Sequence, residues 1–92
     1  MLEGAPQGRT VVWTEHADRD LAQLAPRVQG RVVEGIELLA LASQGDVRRL
    51  RGTGGGELAL RVGDWRAWFV LDEGAGILTV LRVRHRGEAY RR

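Results

Sequence analysis

The stretch that decides the fold is LALRVGDWRAWFVL, residues 58–71. Apolar side chains recur at alternate positions on both sides of its Gly63-Asp64 pair, which is typical of strands that bury one face. Glycine supplies the positive φ that a tight two-residue turn requires. The stretch therefore predicts an antiparallel hairpin with strands at 58–62 and 65–71.

Outward from this hairpin, local patterns predict the other elements. ILTVLRV at 77–83 follows the loop DEGAG and predicts a third strand of the same sheet. TVVWT at 10–14 predicts a short strand, and Thr14 is suited to cap a helix that follows it. Pro26 ends that first helix and begins a second, which is expected to stop near residues 43–45.

A glycine-rich stretch, GDVRRLRGTGGGE at 45–57, separates the second helix from the hairpin. It lacks the Lys-Ser/Thr pair of a phosphate-binding loop, and no strand-to-helix context surrounds it, so a flexible connection is expected. The order β-α-α-β-β-β then predicts a single α+β domain over residues 1–92, with 1–9 frayed. Both helices are expected to pack on one face of a small antiparallel sheet.

The composition is that of a small folded protein whose charge is unevenly distributed. The 92 residues are 43% hydrophobic and include no cysteine, which excludes disulfides, thiolate zinc sites and a cysteine nucleophile. No signal-peptide or membrane-span pattern occurs, so a cytoplasmic protein without membrane contact is expected. Residues 1–47 carry four arginines against seven acidic residues, whereas residues 48–92 carry ten against five. A basic half indicates a polyanion or an acidic protein partner, unless it is simply a solvated surface.

Three arginines are predicted to stand side by side on the sheet face that the helices do not cover. The two-residue turn pairs Arg61 with Arg66, and a five-residue loop at 72–76 pairs Arg66 with Arg82. The same alternation divides the last strand into a core row and an outward row. The predicted core row is Ile77, Leu81 and Val83, and the predicted outward row is Leu78, Val80, Arg82 and Arg84.

This predicted row carries an electrostatic cost. Like charges directly opposite one another destabilise a sheet, and arginine cannot lose its proton to relieve the repulsion. An anion bound to the row would offset that cost, and so would nearby acidic groups, of which Glu57, Asp64, Glu88 and the chain terminus are the candidates. Trp68 on the same face offers a flat surface on which a base or ribose would stack, unless the C-terminal tail buries it.

The C-terminal sequence VRHRGEAYRR, residues 83–92, adds groups that can exchange a proton. His85 lies between Arg84 and Arg86, whose charges favour the neutral imidazole that accepts a proton. Clustered arginines also favour the ionised form of Tyr90, which would then act as a base. A lone histidine is more often structural or merely exposed, so this interpretation depends on the arginines beside it.

Several motifs of the second half occur together, and the strongest are LRVGDWR at 60–66, VLRV at 80–83 and HRGEAY at 85–90. With the whole stretch VRRLRGTGGGELALRVGDWRAWFVLDEGAGILTVLRVRHRGEAY, residues 47–90, they resemble the RelE/ParE toxins of bacterial toxin–antitoxin systems. The preceding strand and helix pair follow the order of that family, so the resemblance extends over about residues 10–91. It implies the family's α+β fold.

In the RelE branch the resemblance implies a ribosome-dependent mRNA interferase, an endoribonuclease that cuts the message in the ribosomal A site without a metal or organic cofactor. The RNA's own 2′-hydroxyl attacks the neighbouring phosphate and leaves a 2′,3′-cyclic phosphate. Arg66 would stabilise charge growing on the phosphate, and Arg86 or Arg84 would steady the leaving side. His85 and Tyr90 would exchange the protons, in roles that stay open. The implied RNA-binding residues are Arg61, Arg82, Arg84 and Trp68.

One departure from the family pattern keeps other functions open. Some ribonuclease members carry lysines on the second strand, where this chain has Glu57, Leu58 and Ala59. The alternative is a ParE-like toxin that inhibits DNA gyrase by binding, without catalysis, and a third possibility is a basic interaction domain. In either toxin class the resemblance implies a cognate antitoxin that lays an acidic or amphipathic helix over the basic side.

Overall fold

The computed structural model describes residues 8–50 and 56–86, which form two helices and a five-stranded sheet. The strands lie in the order β1-β5-β4-β3-β2. The elements in chain order are β1 (Thr10–Trp13), α1 (Glu15–Ala22), α2 (Pro26–Ala42), β2 (Asp46–Arg49), β3 (Leu58–Val62), β4 (Trp65–Asp72) and β5 (Ile77–His85). No helix in these two ranges is long and apolar enough to cross a bilayer.

The predicted α+β class is confirmed, and both helices pack on the same face of the sheet. Ala17 of α1 and Ile36 of α2 are fully buried against Phe69 and Val80 in one apolar cluster. The hairpin between β3 and β4 has the predicted register, with Val62 opposite Trp65. The predicted confinement of both helices to one side therefore leaves the opposite sheet face without a helix on it.

Two features of the sheet differ from the prediction. β1 runs parallel to β5, so the sheet is mixed rather than wholly antiparallel. Part of the predicted flexible connection at 45–57 forms β2, which pairs antiparallel with β3 and brings Asp46 opposite Arg61. Only Val47 of β2 is apolar and packs against the core, so its four residues carry too little alternation to indicate a strand.

The helix ends follow the predicted capping chemistry. The Thr14 hydroxyl accepts a hydrogen bond from the Ala17 backbone N–H at 3.1 Å and donates to the Leu81 carbonyl oxygen at 3.1 Å. It therefore caps α1 and holds the start of that helix to β5. The second helix ends where predicted, at Ser43, whose φ of 56° is in the left-handed region. The predicted turn is also present, with Gly63 at a φ of 61°.

The pairing of β5 with β4 overturns part of the predicted core row. Asp72 pairs with Ile77, so the loop has four residues, 73–76, and not the predicted five, which shifts the register by one residue. A β-bulge in β5 then shifts it by one more. Trp68 is opposite Arg82 whereas Phe69 is opposite Val80, so Leu81 is an extra residue in the ladder. The side chains change face at this point, because one inserted residue reverses the alternation. The buried residues of β5 are accordingly Leu78, Val80 and Val83, whereas Ile77 and Leu81, predicted for the core, are partly exposed. Val83 and Arg84 keep their predicted sides because both follow the bulge.

Candidate functional site

Three arginines lie side by side on the sheet face away from the helices. Arg61 of β3 is paired with Arg66 of β4, and Arg66 is paired with Arg84 of β5. Residues directly opposite one another share a face, and neighbours along a strand take opposite faces. Ala67 and Val83, which adjoin Arg66 and Arg84, are buried under the helices. We call Arg61, Arg66 and Arg84 the arginine row.

The predicted pairing of Arg82 with Arg66 is wrong. Arg82 is opposite Trp68, so it starts from the same sheet face as the row, but its guanidinium binds Asp20 of α1. Nε donates to Asp20 Oδ2 at 2.9 Å and Nη2 donates to Oδ1 at 3.1 Å. The Val83 backbone N–H donates to the same carboxylate at 2.9 Å. It is available to Asp20 because β1 pairs with β5 only as far as Val80. Partial burial raises the pKa of Asp20, but these hydrogen bonds and the nearby charge lower it by more, so the net pKa is below its ordinary value.

The arginine row lacks a directly bonded carboxylate among residues 8–50 and 56–86, although the charge of Arg84 acts at longer range on Asp20 and helps to lower its pKa. None of its three members forms a salt bridge or hydrogen bond with a carboxylate there. Asp46, which is opposite Arg61, lies 3.4 Å from the Nε of Arg48, and Asp64 lies 3.8 Å from Arg86. Glu57 and Glu88 are two of the acidic residues predicted to neutralise the row. Glu57 forms no ion pair with any of its three members, and Glu88 lies outside the described residues. The positive charges of the row therefore remain concentrated on one open face.

A cleft of about 280 Å³ lies beside the row, between β2 and Trp68. Trp68 is opposite Ala59 and so shares the face of the row, as predicted. Its indole Nε1 is buried and has no hydrogen-bond partner within the described part of the chain. The cleft, called the β2 cleft below, is lined by Arg48, Arg49, Leu50, Ala59, Arg61, Arg66 and Trp68.

A second cavity, of about 360 Å³, lies at the other end of the row. It sits between α1 and β5 and is lined by Asp20, Gln23, Leu24, Trp65, Arg82, Val83 and Arg84. The Nε of Arg84 is buried and, in the described ranges, donates to no acceptor. An unsatisfied buried donor costs free energy that an incoming acceptor would recover. Two such donors therefore lie at the row, Trp68 Nε1 on β4 and Arg84 Nε on β5.

The structure separates His85 from the arginine row. His85 is opposite Trp65, and the two rings meet edge to face with centroids 5.0 Å apart. Trp65 packs against the helix-side core, so His85 follows it to that side. Arg86 lies at the end of β5, where its backbone N–H donates to the Asp64 carbonyl oxygen at 2.7 Å. Tyr90, the other predicted proton-exchanging residue, lies outside the described residues.

Sequence reasoning missed two kinds of residue at this site. Arg48 and Arg49 are predicted to lie in a loop, because DVRR contains one apolar residue and carries too little alternation to indicate a strand. Asp20 was assigned no role, since nothing local shows that a helix carboxylate meets β5. In residues 8–50 and 56–86, no three His, Asp or Glu side chains come together in a way that would hold a metal ion.

Comparison with known proteins matches this chain to bacterial toxins along most of its length. Residues 11–90 match the family described as the ParE toxin of the type II toxin–antitoxin system parDE. The chain is 34% identical over 91 residues to the toxin RelG of Mycobacterium tuberculosis, which covers 90% of this chain and 97% of that protein. The match therefore extends across the helices and the whole sheet.

Solved structures resemble this chain along most of its length. A chain of the toxin–antitoxin complex RelBE2 from Mycobacterium tuberculosis superposes with a TM-score of 0.77 and 32% identity, over 86% of this chain and 92% of that one. The archaeal RelE–RelB complex of Pyrococcus horikoshii gives a TM-score of 0.72 at 23% identity, over 86% and 96% of the two chains. The second likeness is one of fold alone.

Proposed function

The chain belongs to the RelE/ParE superfamily of toxins from type II toxin–antitoxin systems, and from this premise we propose that it is a ribosome-dependent mRNA interferase. The observation that carries the proposal is the arginine row, none of whose members forms an ion pair with a carboxylate among residues 8–50 and 56–86. A polyanion is the ligand that such a surface binds best. Action on ribosomes would place the protein in the cytoplasm.

The row supplies what phosphodiester cleavage by an internal 2′-hydroxyl needs. As the 2′-oxygen bonds to phosphorus and the 5′-oxygen leaves, negative charge grows on the phosphoryl oxygens. Arg66 has a charged neighbour on each side, at Arg61 and Arg84, so it is best placed to stabilise that charge. Arg61 holds the backbone, and Arg84 or Arg86 steadies the leaving 5′-oxygen, which takes a proton from water to become a hydroxyl. Arg82, held by Asp20, acts in positioning β5 rather than in contact with RNA.

The reaction also needs a group that removes the 2′-hydroxyl proton, and arginine cannot do this. His85 lies against Trp65, on the side of β5 away from the row. We therefore assign the proton acceptor to Tyr90 and give His85 an orienting role at the end of β5. The product would carry a 2′,3′-cyclic phosphate, and no step of this route requires a metal ion.

A cognate antitoxin is the proposed protein partner. The solved relatives from Mycobacterium tuberculosis and Pyrococcus horikoshii were determined as toxin–antitoxin complexes. For this chain, residues 48–92 carry ten arginines and five acidic residues, so an acidic segment of the partner would meet a complementary surface. Covering the arginine row in this way would block access of RNA.

The alternative is a ParE-like toxin that inhibits DNA gyrase by binding alone. Two observations favour it: the matched family is that of ParE toxins, and His85 does not face the arginine row. A binder needs charge complementarity but no proton acceptor. The two functions share the basic face and differ in whether a bond is broken.

Single-turnover cleavage of mRNA on a programmed ribosome, run beside a gyrase supercoiling reaction, separates the two functions. We expect cleavage of the message in the A site, a 2′,3′-cyclic phosphate end and little cutting of free mRNA. Gyrase should retain its activity. If the message stays intact while supercoiling is blocked, the mRNA interferase proposal fails and the gyrase alternative stands.

A further inference from the structure

Every polar side chain that lines the β2 cleft is a hydrogen-bond donor. Arginine carries five N–H donors and no acceptor, and the tryptophan indole carries one donor only. The remaining lining residues, Leu50 and Ala59, are apolar. A ligand of this cleft must therefore be rich in acceptors and carry negative charge, as a phosphodiester does.

Trp68 marks the position of one such acceptor. Its Nε1 is enclosed by protein and has no partner in the described part of the chain, which is costly for a buried donor. The long side chains of Arg48, Arg61 and Arg66 line the same cleft. Arg48 pairs with Asp46 at 3.4 Å and its side chain is 73% exposed, so a bound phosphate would draw it away from that pair. That movement would open the indole N–H to an acceptor atom of the ligand.

The size and place of the cleft suit one nucleotide next to the arginine row. Its volume of about 280 Å³ lies near the lower limit of small-ligand sites, which is about 300 Å³. Arg61 and Arg66 belong both to the row and to the cleft, so the two form one continuous surface. From β5 to β2 this surface crosses three strand spacings, about 14 Å in all, which is longer than a single phosphate group.

We infer that the β2 cleft is a nucleotide subsite that holds the RNA beside the scissile phosphate. Arg48 and Arg61 bind a phosphate, and Trp68 donates its N–H to an acceptor of the sugar–phosphate backbone while its ring face is left for a base to stack on. The inference rests on the proposed function in that the ligand is RNA. An acidic peptide would satisfy the arginines, but it offers no planar ring to an indole, whereas bases stack on aromatic side chains.

Two variants and a matched control test the subsite by fluorescence anisotropy with a labelled hexauridylate RNA. Trp68→Phe keeps an aromatic ring but removes the N–H, so RNA binding should weaken about 3- to 10-fold, the scale of one hydrogen bond. Arg48→Gln should weaken binding several-fold and lower the slope of log affinity against log salt by about 0.7, the value for one phosphate contact on single-stranded RNA. Arg27→Gln removes an exposed charge of α2 and should bind RNA like the wild type.

Ribosomal cleavage by the same proteins separates this inference from the proposed function. If the wild type cuts mRNA but Trp68→Phe and Arg48→Gln, both folded by circular dichroism, bind RNA as Arg27→Gln does, the subsite is wrong and the function stands. If both variants lose RNA binding although the wild type cuts no message, the subsite stands and the function fails. Displacement of the RNA by a hexaglutamate peptide from the wild type, but not from Arg48→Gln, would instead make the cleft an acidic-peptide site and overturn the inference.

Discussion

Two groups of arginines differ in whether the fold supplies their acceptors. Arg9 and Arg82 are each surrounded by oxygen atoms: Arg9 bonds to both carboxylate oxygens of Glu73, and Arg82 to both of Asp20. The members of the arginine row bind no carboxylate among residues 8–50 and 56–86. The only hydrogen bond of a row side chain in those ranges is a long one of 3.4 Å, from Arg66 to the Trp65 carbonyl oxygen.

The difference distinguishes structural arginines from those available to a ligand. Each bonded arginine joins elements that are distant in sequence, as Arg82 joins β5 to α1 across 62 positions. The row joins nothing, and its charges repel one another across adjacent strands. We infer that the row is kept at a cost in stability and that RNA binding offsets this cost. Substitutions in the two groups should therefore alter different properties.

The largest expected effect is that of Arg66→Ala on mRNA cleavage. Loss of a group that stabilises transition-state charge typically lowers the rate constant by about 10²- to 10³-fold, and we expect this range in single-turnover cleavage on the ribosome. The free energy of unfolding should change by less than about 0.5 kcal/mol, because the side chain has no acidic partner to lose. Growth arrest on expression should be relieved.

Arg27→Ala is the matched control for charge and residue type. Arg27 is exposed on α2, far in sequence from the row, and should leave toxicity almost unchanged. Equal effects of the two substitutions would mean that overall charge, and not the row, determines activity.

The next largest effect concerns the proton acceptor. Tyr90→Phe should slow cleavage by about 10²-fold, the usual scale for losing a general base, while ribosome binding persists. His85→Ala should slow it less, because its ring packs on Trp65 away from the row. Single-turnover rates and ribosome pelleting measure the two quantities separately. A larger loss in His85→Ala than in Tyr90→Phe would reverse the assignment.

Much of the fold follows from sequence because most of its signals are local. The turn at Gly63, the cap at Thr14 and the end of α2 at Ser43 each depend on a few neighbouring residues. The β5 bulge does not, because the extra residue Leu81 is apolar and fits either face of an unbroken strand. The parallel pairing of β1 with β5 also depends on tertiary structure and cannot be predicted from the sequence of either strand alone.

The candidate site was predictable in part for the same reason. Arg61 and Arg66 were located correctly because a two-residue turn fixes their pairing. Arg84 takes the predicted place of Arg82 because two shifts of one residue add together: β4 continues to Asp72, which pairs with Ile77, and the bulge inserts Leu81. Hydrogen bonds between distant elements, such as that from Arg82 to Asp20, cannot be inferred from the spacing of residues within either one.

Among the contacts of the structural arginines Arg9 and Arg82, the pair of Arg82 with Asp20 should contribute most to stability, so Asp20→Ala should have the largest effect. It removes the carboxylate that accepts from the Val83 N–H and from the partly buried Arg82 guanidinium, so the free energy of unfolding should fall by about 1–3 kcal/mol. The loss should be smaller than for a fully buried pair, since the Arg82 side chain is 33% exposed. Urea denaturation at neutral pH measures it. An unchanged midpoint would show that the ion pair does not stabilise the fold.

The pH dependence of stability gives a second test of the same pair. The pKa of Asp20 in the folded protein is below its ordinary value, so the stabilisation is complete above the unfolded pKa of about 3.9. It is lost as the pH falls through the folded pKa. The difference in stability between wild type and Asp20→Asn should therefore shrink as the pH drops below about 4, and a difference independent of pH would contradict this account.

A smaller loss of stability is expected for Arg9→Ala. The Arg9 Nη1 donates to the carbonyl oxygens of Leu39 and Ala40 at 3.2 and 3.3 Å and to the Ser43 hydroxyl at 3.2 Å, at the C-terminal end of α2. A cation there satisfies free carbonyls and interacts favourably with the helix dipole, so its removal should cost about 1–2 kcal/mol. Glu73→Gln should lower the free energy of unfolding much less, because Glu73 is exposed and the substitution leaves the contacts of Arg9 with the helix end intact. Equal losses would indicate that the Arg9–Glu73 pair is what stabilises this region.

The smallest effect, and the sharpest comparison of the two groups, is in the salt dependence of RNA binding. Each phosphate contact on single-stranded RNA contributes about 0.7 to the slope of log affinity against log salt. Arg84→Gln should lower that slope by about this amount without loss of stability, because Arg84 binds no carboxylate in the described ranges. Arg82→Gln should do the opposite: the slope stays the same, while urea denaturation shifts to lower concentration because Asp20 loses its partner. A lower slope in Arg82→Gln than in Arg84→Gln would make Arg82 the RNA contact and remove the distinction between bonded and available arginines on β5.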